Sequence, residues 1–346
     1  MSTNLDYGEI EEVLGRILER EVSFENLVQE IMDSGRIVSL TDWFRLIGNV
    51  VLEQFVQKRQ MLGCFMILIL LAAILTTAAK AFRNKQISDM GFYMIFLLLF
   101  VLMMKNFAVC CGLTEGLIMD LVDFMKVLMP AYLMAAAVGS YSAAATVYYE
   151  GFFLLVYYLQ KLVEIFLMPA IRCYVVFAML NYLSREKWFS RGLEGLKRLI
   201  TWSLKAMVGV SAGFHMIQGM LAPAVDEMKH SVISKGVSSL GNVGQVAQNV
   251  TDVVLSSSAL LKNGIGALGA VFLVSISLIP VAEIACYVVF YQVLAAVAEP
   301  ISDKRITEIL SQMGDGMGLL VKLSFTVSAL FLLVIAVVCV TTGGMG

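Results

Sequence analysis

The chain has 346 residues, of which 59% are hydrophobic and 15% charged, where a soluble domain carries about 25% charged residues. The mean hydropathy is +0.82 and the formal net charge −2. Charge this scarce cannot cover so much apolar surface in water, which excludes a disordered chain and a soluble enzyme with one compact core. It leaves an all-α polytopic membrane protein, with no basic excess to draw nucleic acid.

Residues 1–59 differ from the rest. Ile10, Val13, Leu14, Ile17 and Leu18 recur at i, i+3, i+4, i+7 and i+8, one face of an amphipathic helix, with Glu11, Glu12, Arg16 and Glu19 elsewhere around it. Ser23 is placed to cap a second short helix ending near Gly35, and Ser39 or Thr41 a third, along which Trp43, Leu46, Ile47 and Val50 form the apolar side. No positive segment followed by an apolar one opens the chain, so no signal peptide is expected. This region reads either as a helical cap on the membrane domain or as a partner-binding segment.

Apolar runs then follow one another. Met61–Phe82 is long enough to cross a bilayer, which takes ~20 residues. Asp89 to Lys105 is a second span with 106–113 as an interfacial tail, and 113–129 is amphipathic, carrying Glu115, Asp120, Asp123 and Lys126. The runs 130–147, 151–168 and 170–183 come next, the last two separated by Pro169, which is expected to end or kink a helix. Thr201–Leu221 is apolar, 224–262 is rich in Ser, Gly and Asn, 264–298 is apolar but interrupted by Pro280 and Glu283, and 318–340 is the last span. The sum is about seven to nine crossings between residues 60 and 346.

Orientation follows from the basic loops. Arg83 and Lys85 in one loop, and Arg185, Lys187, Arg191, Lys197 and Arg198 in another, place both loops in the cytoplasm. Residues 1–59 and 224–262 then lie outside the cytoplasm, and the acidic stretch 113–126 fits that far side.

No motif points to catalysis. The six cysteines form no C-x-x-C pair and lie in apolar runs, where a thiol packs as a small hydrophobe, and His215 and His230 are too few for an ordinary histidine metal site. There is no P-loop, no HExxH and no GxSxG, so no catalytic residue, cofactor or metal is expected. Gly264-Ile-Gly266-Ala-Leu-Gly269 matches GxGxxG but precedes an apolar span, where glycines serve close helix packing better than a nucleotide. Gly209 and Gly213 are spaced as GxxxG and form a helix-contact face, within the subunit or between copies in a homo-oligomer. Ionisable residues inside apolar runs are costly and therefore candidates for function. Lys161 and Glu164, at i and i+3, either line a polar path or neutralise each other. Glu283, following Pro280, suits a broken helix of the kind that holds ions in transporters, or an interfacial turn. These features carry the alternative reading of a secondary transporter for a small solute.

The C-terminal half carries a more specific signal. Thr251-Asp252-Val253-Val254, then Ser256–Ser258, then Leu261-Lys262-Asn263-Gly264-Ile265-Gly266, and later Glu299-Pro300-Ile301-Ser302-Asp303-Lys304-Arg305-Ile306 ahead of the last span, resemble the stage III sporulation protein AE family. The order and hydropathy of residues 61–346 fit the same family. Its members commonly begin with a cleavable signal sequence, a pattern not apparent here. The resemblance implies a non-enzymatic membrane subunit of the stage III sporulation A assembly of endospore-forming bacteria. It would sit among the assembly's other membrane proteins and the surrounding lipid, in the mother-cell membrane around the forespore. An ATPase subunit would supply energy, and a forespore-side partner would lie across the intermembrane space. The assembly would form a channel or secretion-like conduit needed for forespore development after engulfment. Lys262 and Asn263 fall where the polar segment meets the membrane, and would position that junction.

Overall fold

The computed structural model describes residues 63–67, 69–71, 74, 85–138, 151, 154–183, 189–237, 243–302 and 304–343. The amphipathic region 1–59 and much of the first apolar run lie outside them. The described residues are helical apart from turns at 189 and 299–302, with no strand among them. We label the helices α1 (Lys85–Val138), α2 (Met168–Leu183), α3 (Ser190–Val237), α4 (Val243–Ala298) and α5 (Lys304–Gly343). A further helical stretch, 154–162, runs into α2 through a π turn at Val163–Leu167.

Among the described residues, four helical segments are long and apolar enough to cross a membrane: Phe96–Tyr132, Leu154–Asn181, Gly264–Ala298 and Lys304–Val338. Helices suit this setting because they satisfy their backbone groups internally. Several expected breaks are absent. The second span and the amphipathic 113–129 form one 54-residue helix, α1, about 81 Å long at 1.5 Å per residue. The acids of 113–126 therefore do not lie beyond the bundle but along it. The reason is a continuous seam of buried residues, Cys110, Thr114, Leu117, Leu121, Phe124, Leu128 and Tyr132, spaced three and four apart. Pro130 lies inside this helix and Pro280 inside α4, neither ending it. At Pro169 the chain neither stops nor restarts, because the π turn directly before it widens the backbone where the proline has no N–H to give. The polar segment 224–262 is helical over 224–237 and 243–262, as the end of α3 and the start of α4.

Helix α5 is the centre of the bundle. It packs against α4, α1, α2 and α3, and buries Met313, Met317, Leu319, Leu320 and Leu323 completely. Small residues let its neighbours approach. A Cβ at Gly316 would collide with Val175 of α2, and one at Gly314 would touch Tyr291 and Gln292 of α4. Gly269 of α4 does the same for Leu128 of α1. The α4–α5 connection is tight. Ala295 and Ala298 carbonyls accept N–H bonds from Glu299 (3.0 Å), Ile301 (3.1 Å) and Ser302 (2.8 Å), and Pro300, which has no N–H to donate, stands between them.

The side-chain contacts fix the directions of the helices. Tyr174, at the middle of α2, donates to Gln312, near the start of α5, at 3.1 Å, and Lys197, near the start of α3, meets Asp315 of α5. Phe96, near the start of α1, lines a small crevice with Ile306 and Ile309 of α5. The start of α1, the α2–α3 connection and the α4–α5 turn therefore share one end of the bundle. All three sites are basic in sequence (Arg83 and Lys85; Arg185 and Lys187; Lys304 and Arg305), as a single membrane orientation requires. At this end Asn181 is buried and staples the α2–α3 connection, accepting from the Phe189 N–H at 2.9 Å and donating to the Ser190 hydroxyl at 3.1 Å.

Several polar groups inside the bundle pair across helices. Asn106 of α1 donates to the Tyr291 hydroxyl of α4 at 2.9 Å, and Phe65 packs edge-on against the same ring at 5.6 Å. Tyr132 donates to the Val338 carbonyl at 3.3 Å, and Ser324 of α5 meets Thr114 of α1 at 3.4 Å. Tyr291→Phe keeps the ring packing but leaves the Asn106 amide without its acceptor. We expect a loss of about 1–2 kcal/mol, read as a lower unfolding temperature in detergent, with Asn106→Ala recovering part of it in the double variant. Equal stability of Tyr291→Phe and the parent would show the bond to be idle.

Candidate functional site

Charged residues of the bundle meet across helices at two places. The first is a groove between α1 and the helix that runs through the π turn. From α1 it takes Glu115, Ile118 and Met119, a ridge at i, i+3, i+4. From the facing helix it takes Gln160, Val163, Glu164, Met168 and Arg172, which keep near-fourfold spacing through the π turn. The cavity has a volume of about 390 Å³ and opens sideways on the outside of the bundle. Arg172 donates through Nη2 to Glu115 Oε1 at 2.5 Å, tying α2 to α1. Lys161 donates to Glu164 Oε2 at 3.0 Å along its own helix. The π turn lies directly beneath these groups, an arrangement frequent at functional sites.

The second place is the contact of α3 with α5, where Lys197 donates to Asp315 Oδ2 at 2.5 Å. Lys197 thus belongs to a helix and a cross-bundle ion pair, in addition to the basic cluster that marks its end of the molecule. A third, apolar groove of about 230 Å³ lies between 154–162 and α3, lined by Tyr158, Leu162, Trp202, Met207 and Val210 among others. The Ser211 hydroxyl is buried at its edge.

The residues singled out from sequence are spread over the bundle. Lys161 and Glu164 form the expected pair, and Glu164 lines the groove. Glu283 is half-buried on α4, but the helix passes Pro280 unbroken, so the broken-helix geometry that suggested an ion site is not present. A proline in a long helix buried against neighbours can be accommodated without a break when packing holds both sides. Gly209 and Gly213 are exposed on α3, and a Cβ on either meets open space, so among the described residues they form no contact within the subunit. Gly264 and Gly266 are buried in α4. Glu299 and Pro300 are exposed in the α4–α5 turn. Asp252, Lys262 and Asn263 fall in the first half of α4, and their side chains lie outside the described residues. Among the described residues no group of three or more His, Cys, Asp or Glu is placed to hold a metal ion.

Sequence reasoning passed over Arg172, Asp315 and Asn106. A signal existed for the first, since an arginine in the apolar run 170–183 demands a partner as much as Glu283 does. Asp315 fell just outside the span as drawn from hydropathy, and nothing in a sequence says that it meets Lys197.

The comparisons with known proteins agree with this membrane architecture. The family model for stage III sporulation protein AE matches residues 22–342. The stage III sporulation protein AE of Bacillus subtilis (strain 168) is 20% identical over 322 residues, covering 92% of this chain and 80% of that protein. No solved structure matches the chain. A match over nearly the whole length, on a bundle with four helices able to span a membrane, leaves one assignment: the chain belongs to the stage III sporulation protein AE family and is a multi-pass membrane protein with a role in sporulation.

Proposed function

We propose that this chain is the integral-membrane base of the stage III sporulation A assembly, in the mother-cell membrane around the forespore. The observation that carries the proposal is the family match across residues 22–342, which takes in every described helix of the bundle. The basic end of the bundle faces the mother-cell cytoplasm, where an ATPase subunit of the assembly docks and supplies energy. The opposite end carries the polar ends of α3 and α4 (224–262) toward the intermembrane space and a forespore-side partner. Helices α3 and α4, with 48 and 56 residues, are about 72 and 84 Å long, well beyond the ~30 Å hydrocarbon core, so they reach out of the membrane at one end or both. Lys262 and Asn263 mark the level at which α4 turns from polar to apolar. The open glycine face of Gly209 and Gly213 serves contact with another copy or another membrane subunit. The chain contributes packing and a path, not catalysis.

A clean deletion in the native host tests this reading. The expected phenotype is normal growth, arrest after engulfment with collapsing forespores, and a loss of heat-resistant spores by several orders of magnitude. Normal spore counts with a defect in growth or uptake would overturn it in favour of a secondary transporter for a small solute.

A further inference from the structure

The groove between α1 and α2 has more chemistry than a structural ion pair needs. A bridge from Arg172 to Glu115 requires two side chains in contact. It does not require an open cavity of about 390 Å³ beside it, or a second carboxylate on the wall. That volume falls within the ~300–1,000 Å³ of small-molecule sites. The lining holds two carboxylates (Glu115, Glu164), one guanidinium (Arg172) and one amide (Gln160), over a floor of Ile118, Met119, Val163 and Met168. Arg172 takes one oxygen of Glu115 and Lys161 takes one oxygen of Glu164, so each carboxylate keeps a second oxygen for a ligand. Arg172 is half-exposed and has five N–H donors, more than one carboxylate oxygen can engage.

These groups select a ligand with both charges. A simple anion would face two carboxylates, and a simple cation would face the guanidinium. A zwitterion satisfies both, with its ammonium on the carboxylates and its phosphate on Arg172, the side chain best shaped for planar two-pronged phosphate recognition. The setting selects an amphiphile. The groove lies along two membrane-spanning segments and opens sideways, next to exposed Met119 and Ile165, where acyl chains can run. We infer that the groove binds a phosphoethanolamine headgroup, held by Arg172, Glu115 and Glu164 between α1 and the π turn. The bound headgroup bridges the two helices that the Arg172–Glu115 pair already ties, and so couples the packing of α2 to the lipid around it.

The test is native mass spectrometry of the purified full chain, titrated with dioleoyl phosphatidylethanolamine or dioleoyl phosphatidylglycerol. The expected result is about tenfold tighter binding of the ethanolamine lipid, reduced about tenfold by Arg172→Gln and by Glu164→Gln. Both side chains are about half-exposed or more, so the variants are expected to fold, with helix content by circular dichroism as the control. Met119→Trp, which fills the groove without touching a charge, is expected to abolish the preference. Soluble O-phosphoethanolamine, added as competitor, separates the sources. Displacement at concentrations matching the lipid assigns the site to a free headgroup compound, and failure to displace assigns it to the membrane lipid. Equal binding of the two lipids, or an unchanged preference in the charge variants, overturns the inference.

Discussion

Gly316→Ala is expected to destabilise the bundle by about 2–3 kcal/mol, the largest effect of any single methyl group added to the described core. Gly316 lies on α5, the helix that touches all the others, and its missing side chain is where α2 crosses. An added Cβ would overlap Val175, and the clashing methyl is one bond from the Val175 Cβ on a β-branched side chain with little rotamer freedom. The helices themselves would have to part. Gly269 offers the internal comparison. A Cβ there meets the end of Leu128, a longer side chain that can swing aside, so Gly269→Ala should cost no more than about 1 kcal/mol. Thermal unfolding in detergent separates the two cases. Val175→Ala should rescue Gly316→Ala while lowering the stability of the parent, the sign reversal that marks a direct contact. Equal costs at the two glycines, or no rescue, would mean that α2 does not cross α5 at this point.

Breaking the Lys197–Asp315 pair should cost about 2 kcal/mol from either side. The pair joins α3 to α5, and each side chain is a little over one-third exposed, so the loss falls below that of a fully buried pair. Lys197→Ala leaves the Asp315 carboxylate unpartnered in an apolar bundle, which is worse than having no charge there at all. The double variant Lys197→Ala with Asp315→Asn should therefore be more stable than Lys197→Ala alone. The exchanged pair, Lys197→Asp with Asp315→Lys, should recover most of the parent stability. Additive losses in the double variant would show the two groups to be independent. The same contact bears on the proposed function. In our reading it fixes α3, whose far end reaches toward the intermembrane space, to the central helix at the end that faces the cytoplasm.

Much about this protein is decided by its sequence alone. Apolar content and scarce charge determine a helical membrane bundle, because only helices and closed barrels satisfy the backbone in lipid, and runs of more than 20 apolar residues select helices. The stretches around Lys262-Asn263-Gly264 and Glu299-Pro300-Ile301 were enough to indicate the family. The tertiary structure decided what local signals cannot carry. Pro169 and Pro280 read as breaks, and residue 130 as the start of a separate run, yet the helices pass all three prolines, because packing against neighbouring helices outweighs one missing hydrogen bond, with a π turn absorbing the strain at Pro169. Hydropathy drew a boundary between 105 and 113, where a buried seam on one face carries α1 straight through. Glu115 and Arg172 are 57 residues apart and Lys197 and Asp315 are 118 apart. A sequence shows that each of these charges needs a partner in the membrane, but only the packing of α1 against α2 and of α3 against α5 determines which partner it gets.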